Sequence, residues 1–215
     1  MFNFFRTPKH TYVTGIECAG KTTYINEYLL KKDNEYCKLY PFAVPNYFTV
    51  DEQLPEKEFH TRLKILRHEL NRNCKDDLHH WWSYFKRTDA VCEIDLTDIY
   101  VSCEHLKKFE ISIKFIYIDL PTALERAKEK YAIKGLIIDS KKFEEYYAQG
   151  LDVFFSSLRF MDDWEIIDGT KNLKEPKELF SKFSLFDGDN CLSFAKWMAE
   201  RKKEINLYID NPLSC

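Results

Sequence analysis

The chain of 215 residues predicts a three-layer α/β domain: a mainly parallel five-stranded sheet, helices on both faces, and a C-terminal helical extension. Two observations carry this expectation. Short β-branched and aromatic runs alternate with helix-periodic segments along residues 11–183, the rhythm that a covered parallel sheet imposes. Hydrophobic residues make up 45% of the chain and aromatics 16%, enough for one large core.

The elements follow in order. Thr11–Thr14 reads as the first strand, and Thr22–Leu30 as the first helix, with Ile25, Tyr28 and Leu29 on one side. Tyr36–Tyr40 is a second strand, ended by Pro41 and Pro45. A charged helix is expected over Leu54–Asn73, striped by Phe59, Leu63, Leu66 and Leu70, with Asp76–Phe85 as the second helix of a hairpin. Ala90–Ile94 and Ile111–Ile118 are buried strands. Pro121 marks the start of a helix over Thr122–Tyr131, and Lys142–Phe160 forms a longer one. Trp164–Asp168 is the last strand, turned by Gly169, and Glu175–Phe183 is expected to close the alternation as a helix. Asp187–Asn190 reads as a turn, and Leu192–Ile205 as a basic amphipathic helix. The expected division is a main domain over residues 1–184 and an appendage over 185–215, too short for its own core.

The net charge of −3 argues against broad duplex binding, which leaves a basic footprint. Seven cysteines (18, 37, 74, 92, 103, 191 and 215) form no C-x-x-C pair. Their odd number, and the lack of a targeting segment, predict free thiols and a cytoplasmic location. His79-His80 are adjacent, so on a helix they diverge; with Trp81-Trp82 they read as packing surface rather than metal ligands. No apolar run approaches the ~20 residues that span a membrane.

Between the first strand and helix lies Gly15-Ile16-Glu17-Cys18-Ala19-Gly20-Lys21-Thr22, which fits the phosphate-binding pattern G-x-x-x-x-G-K-[ST]. Gly15 and Gly20 let the backbone curl so that successive N–H groups converge on phosphate oxygens. Lys21 supplies a point charge for the β- and γ-phosphates, and Thr22 a hydroxyl for Mg²⁺. Strand, glycine loop and helix N-terminus is the context that the chemistry needs. ATP and Mg²⁺ are the expected ligands, held by residues 15–22 and Thr23.

Several ordered segments resemble the thymidylate kinase branch of nucleoside monophosphate kinases, with deoxynucleoside kinases as relatives. Val13–Thr23 is similar to the family's G-I-[DE]-G-A-G-K-[ST]-T; Lys38-Leu39-Tyr40-Pro41-Phe42 sits at its strand ending near proline. Tyr117–Pro121 with Leu124-Glu125-Arg126 resembles its strand and L-x-R helix, and Trp164-x-x-Ile167-Asp168 its closing strand. The resemblance covers residues 10–183 and implies a P-loop kinase fold with a mobile basic lid at about 126–141. It also implies phosphoryl transfer from ATP to a deoxynucleoside monophosphate.

The third strand departs from that pattern. Where the family carries a carboxylate-arginine pair, this chain reads Cys92-Glu93-Ile94-Asp95-Leu96-Thr97-Asp98, without arginine. Cys18 also stands where the family has a loop glycine. Glu93 and Asp95 are candidates for ordering Mg²⁺ or accepting a proton, and the choice between them stays open. Asp98 fits a helix cap.

Arg126 is the preferred lid cation, its planar fork suited to two phosphate oxygens; Lys128, Lys130 and Lys134 follow it, and a solvated helix face explains them equally well. Glu17 resembles the loop acid that meets the acceptor's sugar, against the simpler reading of an exposed loop carboxylate. Phe42 and Arg67 are the preferred acceptor pair, for stacking and phosphate. Arg62, Arg67 and Arg72 are five residues apart and cannot share one helix face.

Two alternatives stand beside the monophosphate kinase. One is a kinase of a hydroxyl acceptor, a deoxynucleoside or a hydroxymethylated base in DNA. The other is a non-catalytic nucleotide-binding module. Oligomeric state is left open, a homodimer included.

Overall fold

The computed structural model describes residues 9–30, 35–38, 47–49, 51, 53–71, 89–96, 110–170 and 176–209. The expected helix over 76–85, with its histidine and tryptophan pairs, lies outside them, as do Phe42, Arg72 and Asp98.

The central strand is β1 (Lys9–Thr14), flanked by β4 (Ala90–Glu93) and β5 (Glu110–Tyr117). β2 (Glu35–Lys38) and β7 (Asp163–Asp168) lie outside those two, and all five run parallel. This is the expected five-stranded parallel sheet. Its central strands are buried on both faces: Val13, Ile113 and Ile116 are fully enclosed, as a sheet covered by helices demands. The parallel register sets Val13 beside Glu93 and Thr14 beside Phe115. The loop after β1 therefore opens between the carboxyl ends of two neighbours, where open α/β sheets hold ligands.

The first helix begins as expected, as α1 (Lys21–Tyr24), and then widens into a π-turn over Ile25–Leu29, where Leu30 N–H donates to the Ile25 carbonyl at 2.9 Å. α2 spans Glu56–Asn71. α3 (Leu120–Ala132) starts where Asp119 accepts from the Thr122 N–H at 2.9 Å, with Pro121 in the first turn. α4 (Ser140–Ser157) starts in the same way on Asp139, which accepts from the Lys142 N–H. A two-stranded antiparallel ribbon, absent from the expectations, joins β3 (Phe48–Thr49) to β6 (Ile137–Ile138).

One expected helix is a strand. Residues 175–183 read as helical, yet Lys177–Ser181 form β8, antiparallel to β7 at the sheet edge. Between Asp168 and Lys177 there is no room for a helical crossover, so the chain can only fold back on its neighbour. Pairing with an otherwise open edge outweighs the helix preference of Lys, Glu and Leu. A register shift between Ile166 and Ile167 marks the bend.

The C-terminal helix α5 (Gly188–Ile209) packs an aromatic ridge on this edge. Phe194 is buried, its ring 5.3 Å from Trp164 and 5.2 Å from Phe180. Trp197 meets Tyr117 and Phe155 edge-on, and Arg201 donates to the Tyr117 hydroxyl at 2.7 Å. The helix thereby completes the main core. Phe194→Ala should destabilise the protein by roughly 3 kcal/mol, read as a lower denaturation midpoint without a new transition; an independent second transition would mean that α5 folds apart from the sheet.

Candidate functional site

The loop after β1 has the shape that its sequence requires. A Cβ on Gly15 would lie 2.6 Å from the Ile116 carbonyl oxygen, so only glycine fits against β5. Gly20 takes φ 94 at the helix start, and Cys18 takes φ 64. The left-handed conformation at Cys18 is the one that glycine adopts without strain.

Lys21 is buried, and its Nζ donates to the carbonyls of Gly15 at 2.6 Å and Ile16 at 3.2 Å. Its ammonium group is thus folded over the loop. The Thr22 hydroxyl donates to Glu93 Oε2 at 2.8 Å. Glu93 is buried at the end of β4, held level with the loop by the β1–β4 register and by the Ile94 N–H donating to the Val13 carbonyl at 3.0 Å. Hydroxyl and carboxylate side by side form a hard oxygen pair of the kind that Mg²⁺ takes.

The cleft over the loop has a volume of ≈ 270 Å³ and is bordered by Thr23, Arg126 and Lys130 as well as the loop. Arg126 donates to the carbonyls of Gly169 at 3.0 Å and Thr170 at 3.2 Å. Those bonds secure the turn after β7, and that turn lies close under the loop: a Cβ on Gly169 would come 3.0 Å from the Ala19 carbonyl. The expected lid segment is built from the second half of α3, a turn with φ 67 at Gly135, and β6. Arg62 of α2 donates to the Lys134 carbonyl at 3.0 Å and packs against Gly135.

Glu17 accepts from Lys130 Nζ at 2.5 Å and from the Tyr131 hydroxyl at 3.0 Å. Burial alone would raise its pKa, but the ammonium groups of Lys130 and Lys21 and the two hydrogen bonds prevail and bring it down to about 2. Burial, followed by the nearby Glu17 charge, pushes the Cys18 thiol up to about 11, so it stays protonated and is a poor nucleophile. Asp95 is buried and accepts from the Tyr146 hydroxyl at 2.5 Å.

The structure thus brings together the loop, Lys21, Thr22, Thr23, Glu93, Arg126 and Lys130 around one cleft. It divides the two strand-end carboxylates, Glu93 toward Thr22 and Asp95 toward Tyr146. Arg67 belongs to α2, but its side chain, like Phe42, lies outside the described residues. Tyr131 and Tyr146, whose hydroxyls donate to Glu17 and Asp95, carry no polar signal in the sequence. Tyrosine on an amphipathic helix reads as packing, and only the hydrogen-bond partner reveals a polar task.

No family model matches the chain, and no curated protein matches it. Among solved structures, it is similar to a chain from the PezAT chromosomal toxin-antitoxin system of the human pathogen Streptococcus pneumoniae. The identity is 12%, the TM-score 0.53, and the match covers 96% of this chain and 89% of that one. This is a P-loop kinase-like fold. A chain from the Pnkp1/Rnl/Hen1 RNA repair complex is similar at 15% identity and TM-score 0.45, over 72% of this chain and 47% of that one. Among the described residues, no helix is long and apolar enough to cross a membrane, and no group of three or more metal-ligating side chains occurs.

The depressed Glu17 pKa has a pH signature. A carboxylate whose folded pKa lies below its ordinary 4.5 contributes stability above that value and loses it as pH falls toward 2. Glu17→Gln should therefore be less stable than wild type at pH 7, with the difference closing through this acid window in denaturant titrations. A difference independent of pH would deny the Lys130 pairing.

Proposed function

We propose that the chain is an ATP- and Mg²⁺-dependent phosphotransferase acting on a nucleoside-type acceptor. The single observation that carries this is the 2.8 Å contact of Thr22 with Glu93 beside the buried Lys21. A turn of chance shape has no reason to collect an ammonium, a hydroxyl and a buried carboxylate at a sheet's ligand edge.

The residues present fit the ligands. The close approach of Gly15 to Ile116 opens the main-chain cradle, and phosphate would replace the carbonyls that Lys21 now contacts. Thr22 and Glu93 would hold Mg²⁺, which when bound neutralises charge on phosphate oxygens. Lys21 stabilises charge on the transferring group. Lys130, at the cleft, is the described cation best placed to follow that charge if it exchanges Glu17 for phosphate; Arg126 braces the turn beside the loop.

The acceptor rests on the resemblance, which favours a deoxynucleoside monophosphate of the thymidylate type. One observation favours a hydroxyl acceptor instead: β4 ends in Glu93, with Asp95 just beyond it, and the family's arginine is absent. Coupled ADP-release assays across monophosphates and unphosphorylated nucleosides test both. Saturable ATP binding without turnover on any acceptor would leave a non-catalytic nucleotide-binding module; absence of ATP binding would defeat the reading outright.

Lys21→Ala should cost roughly 3 kcal/mol of transition-state stabilisation, as for loss of one preorganised donor, measured as kcat/KM. Glu93→Gln should raise the Mg²⁺ concentration for half-maximal rate by about 10- to 100-fold. An unchanged Mg²⁺ requirement would remove Glu93 from the metal's surroundings.

A further inference from the structure

The carboxyl end of β5 reaches the phosphate loop by two routes. The Ile116 carbonyl oxygen is the atom that leaves Gly15 no room for a side chain, a Cβ there lying 2.6 Å away. The Tyr117 carbonyl accepts the Gly169 N–H at 2.7 Å. Gly169 is itself wedged between β5 and the loop. A Cβ there would come 2.7 Å from Ile116 Cγ2, 2.9 Å from Ile118 Cγ2 and 3.0 Å from the Ala19 carbonyl oxygen. The end of β5 therefore sets where the loop begins and, through the turn after β7, what lies under Ala19. Contacts this close leave no slack, so a shift of β5 is passed on to the loop.

Side chains from two helices hold this strand end from behind. The Tyr147 hydroxyl of α4 donates to the Ile118 carbonyl at 2.8 Å. The Tyr117 ring is buried; Trp197 of α5 meets it edge-on at 5.1 Å, and Arg201 Nη1 donates to its hydroxyl at 2.7 Å. The Arg201 guanidinium also lies 5.7 Å from the Tyr117 ring and 6.0 Å from that of Trp197, with Glu200 at 3.6 Å. Lys196, Lys202 and Lys203 of the same helix are exposed, whereas the Arg201 side chain is only 19% exposed. A helix that merely covered the core would not need to take a cation out of water; apolar contacts such as Phe194 on Trp164 would serve.

We propose that Arg201 is a positioning residue for the donor nucleotide. Through the Tyr117 hydroxyl it fixes the end of β5, and with it the spacing of Gly15, Ala19 and Gly169 around the bound phosphates. The proposal rests on the phosphotransferase reading above and makes the C-terminal helix part of that donor site.

The experiment titrates the full chain with MgATP by calorimetry. Arg201→Met keeps an apolar stem and removes the donor; Tyr117→Phe keeps the ring and removes the hydroxyl. Each should weaken MgATP binding about three- to tenfold. The double variant should bind no more weakly than the weaker single one, because both remove the same contact. With an acceptor from the ADP-release panel, the KM for ATP should rise by the same factor while kcat at saturating ATP holds. Phe194→Ala, on the same helix but away from Tyr117, should lower the denaturation midpoint and leave MgATP affinity unchanged while the protein is folded. Equal loss of affinity in Phe194→Ala would reduce Arg201 to general packing and overturn the proposal. Additive losses in the double variant, or a fall in kcat with the ATP KM unmoved, would do the same. Should Arg201→Met fail to fold, Tyr117→Phe decides: wild-type affinity in that variant overturns the proposal and leaves the donor reading intact. Absence of MgATP binding by the wild type would remove both.

Discussion

The parallel pairing of β1 with β4 is the constraint from which the site follows. In a parallel pair the carboxyl ends of both strands finish at the same edge, and here the register sets Val13 level with Glu93. The loop that leaves β1 and the acid that ends β4 are then neighbours although 71 residues separate Thr22 from Glu93. β5 supplies the opposite wall, close enough that Gly15 has no space for a side chain. The loop is therefore clamped between two strands, and the shape of its backbone is imposed by the sheet as much as by its own glycines.

Around this clamp the site is asymmetric. On the donor side, Arg126 ties α3 to the turn after β7, and Gly169 of that turn sits close under the loop. On the other side, acidic and phenolic groups gather, with Lys130 balancing Glu17. A low-dielectric setting strengthens each of these contacts and penalises any that is incomplete. The charges are accordingly arranged in pairs, ammonium with carboxylate and phenol with carboxylate. The C-terminal helix adds rigidity from behind: Arg201 and Trp197 hold Tyr117, whose backbone carbonyl receives the Gly169 N–H at 2.7 Å. One short path thus links the far helix to the turn beside the phosphate loop.

Much of this was legible in the residues. The signature Gly15–Thr22 states its own conformation, because its glycines and its lysine are required by backbone geometry and charge rather than by distant partners. Strands such as Ile111–Ile118 and helices such as the one over Thr122–Tyr131 behind Pro121 are likewise local statements, and the structure reproduces them within a residue or two. Residues 175–183 misled because their composition favours helix, whereas the deciding factor was an open sheet edge that no local pattern reveals. The ribbon of β3 with β6 was hidden for the same reason: two residues from each of two remote segments carry no period.

The sequence by itself therefore determined the α/β class, the phosphate loop and the acids at and just beyond the end of β4. Each of these rests on interactions within a few residues. Only the tertiary structure decided how those acids divide, Glu93 to Thr22 and Asp95 to Tyr146, and that Glu17 turns to α3. Those assignments depend on side chains that meet across 51 to 114 residues of chain. Such meetings are fixed by strand register and helix packing, and spacing along the sequence does not encode them.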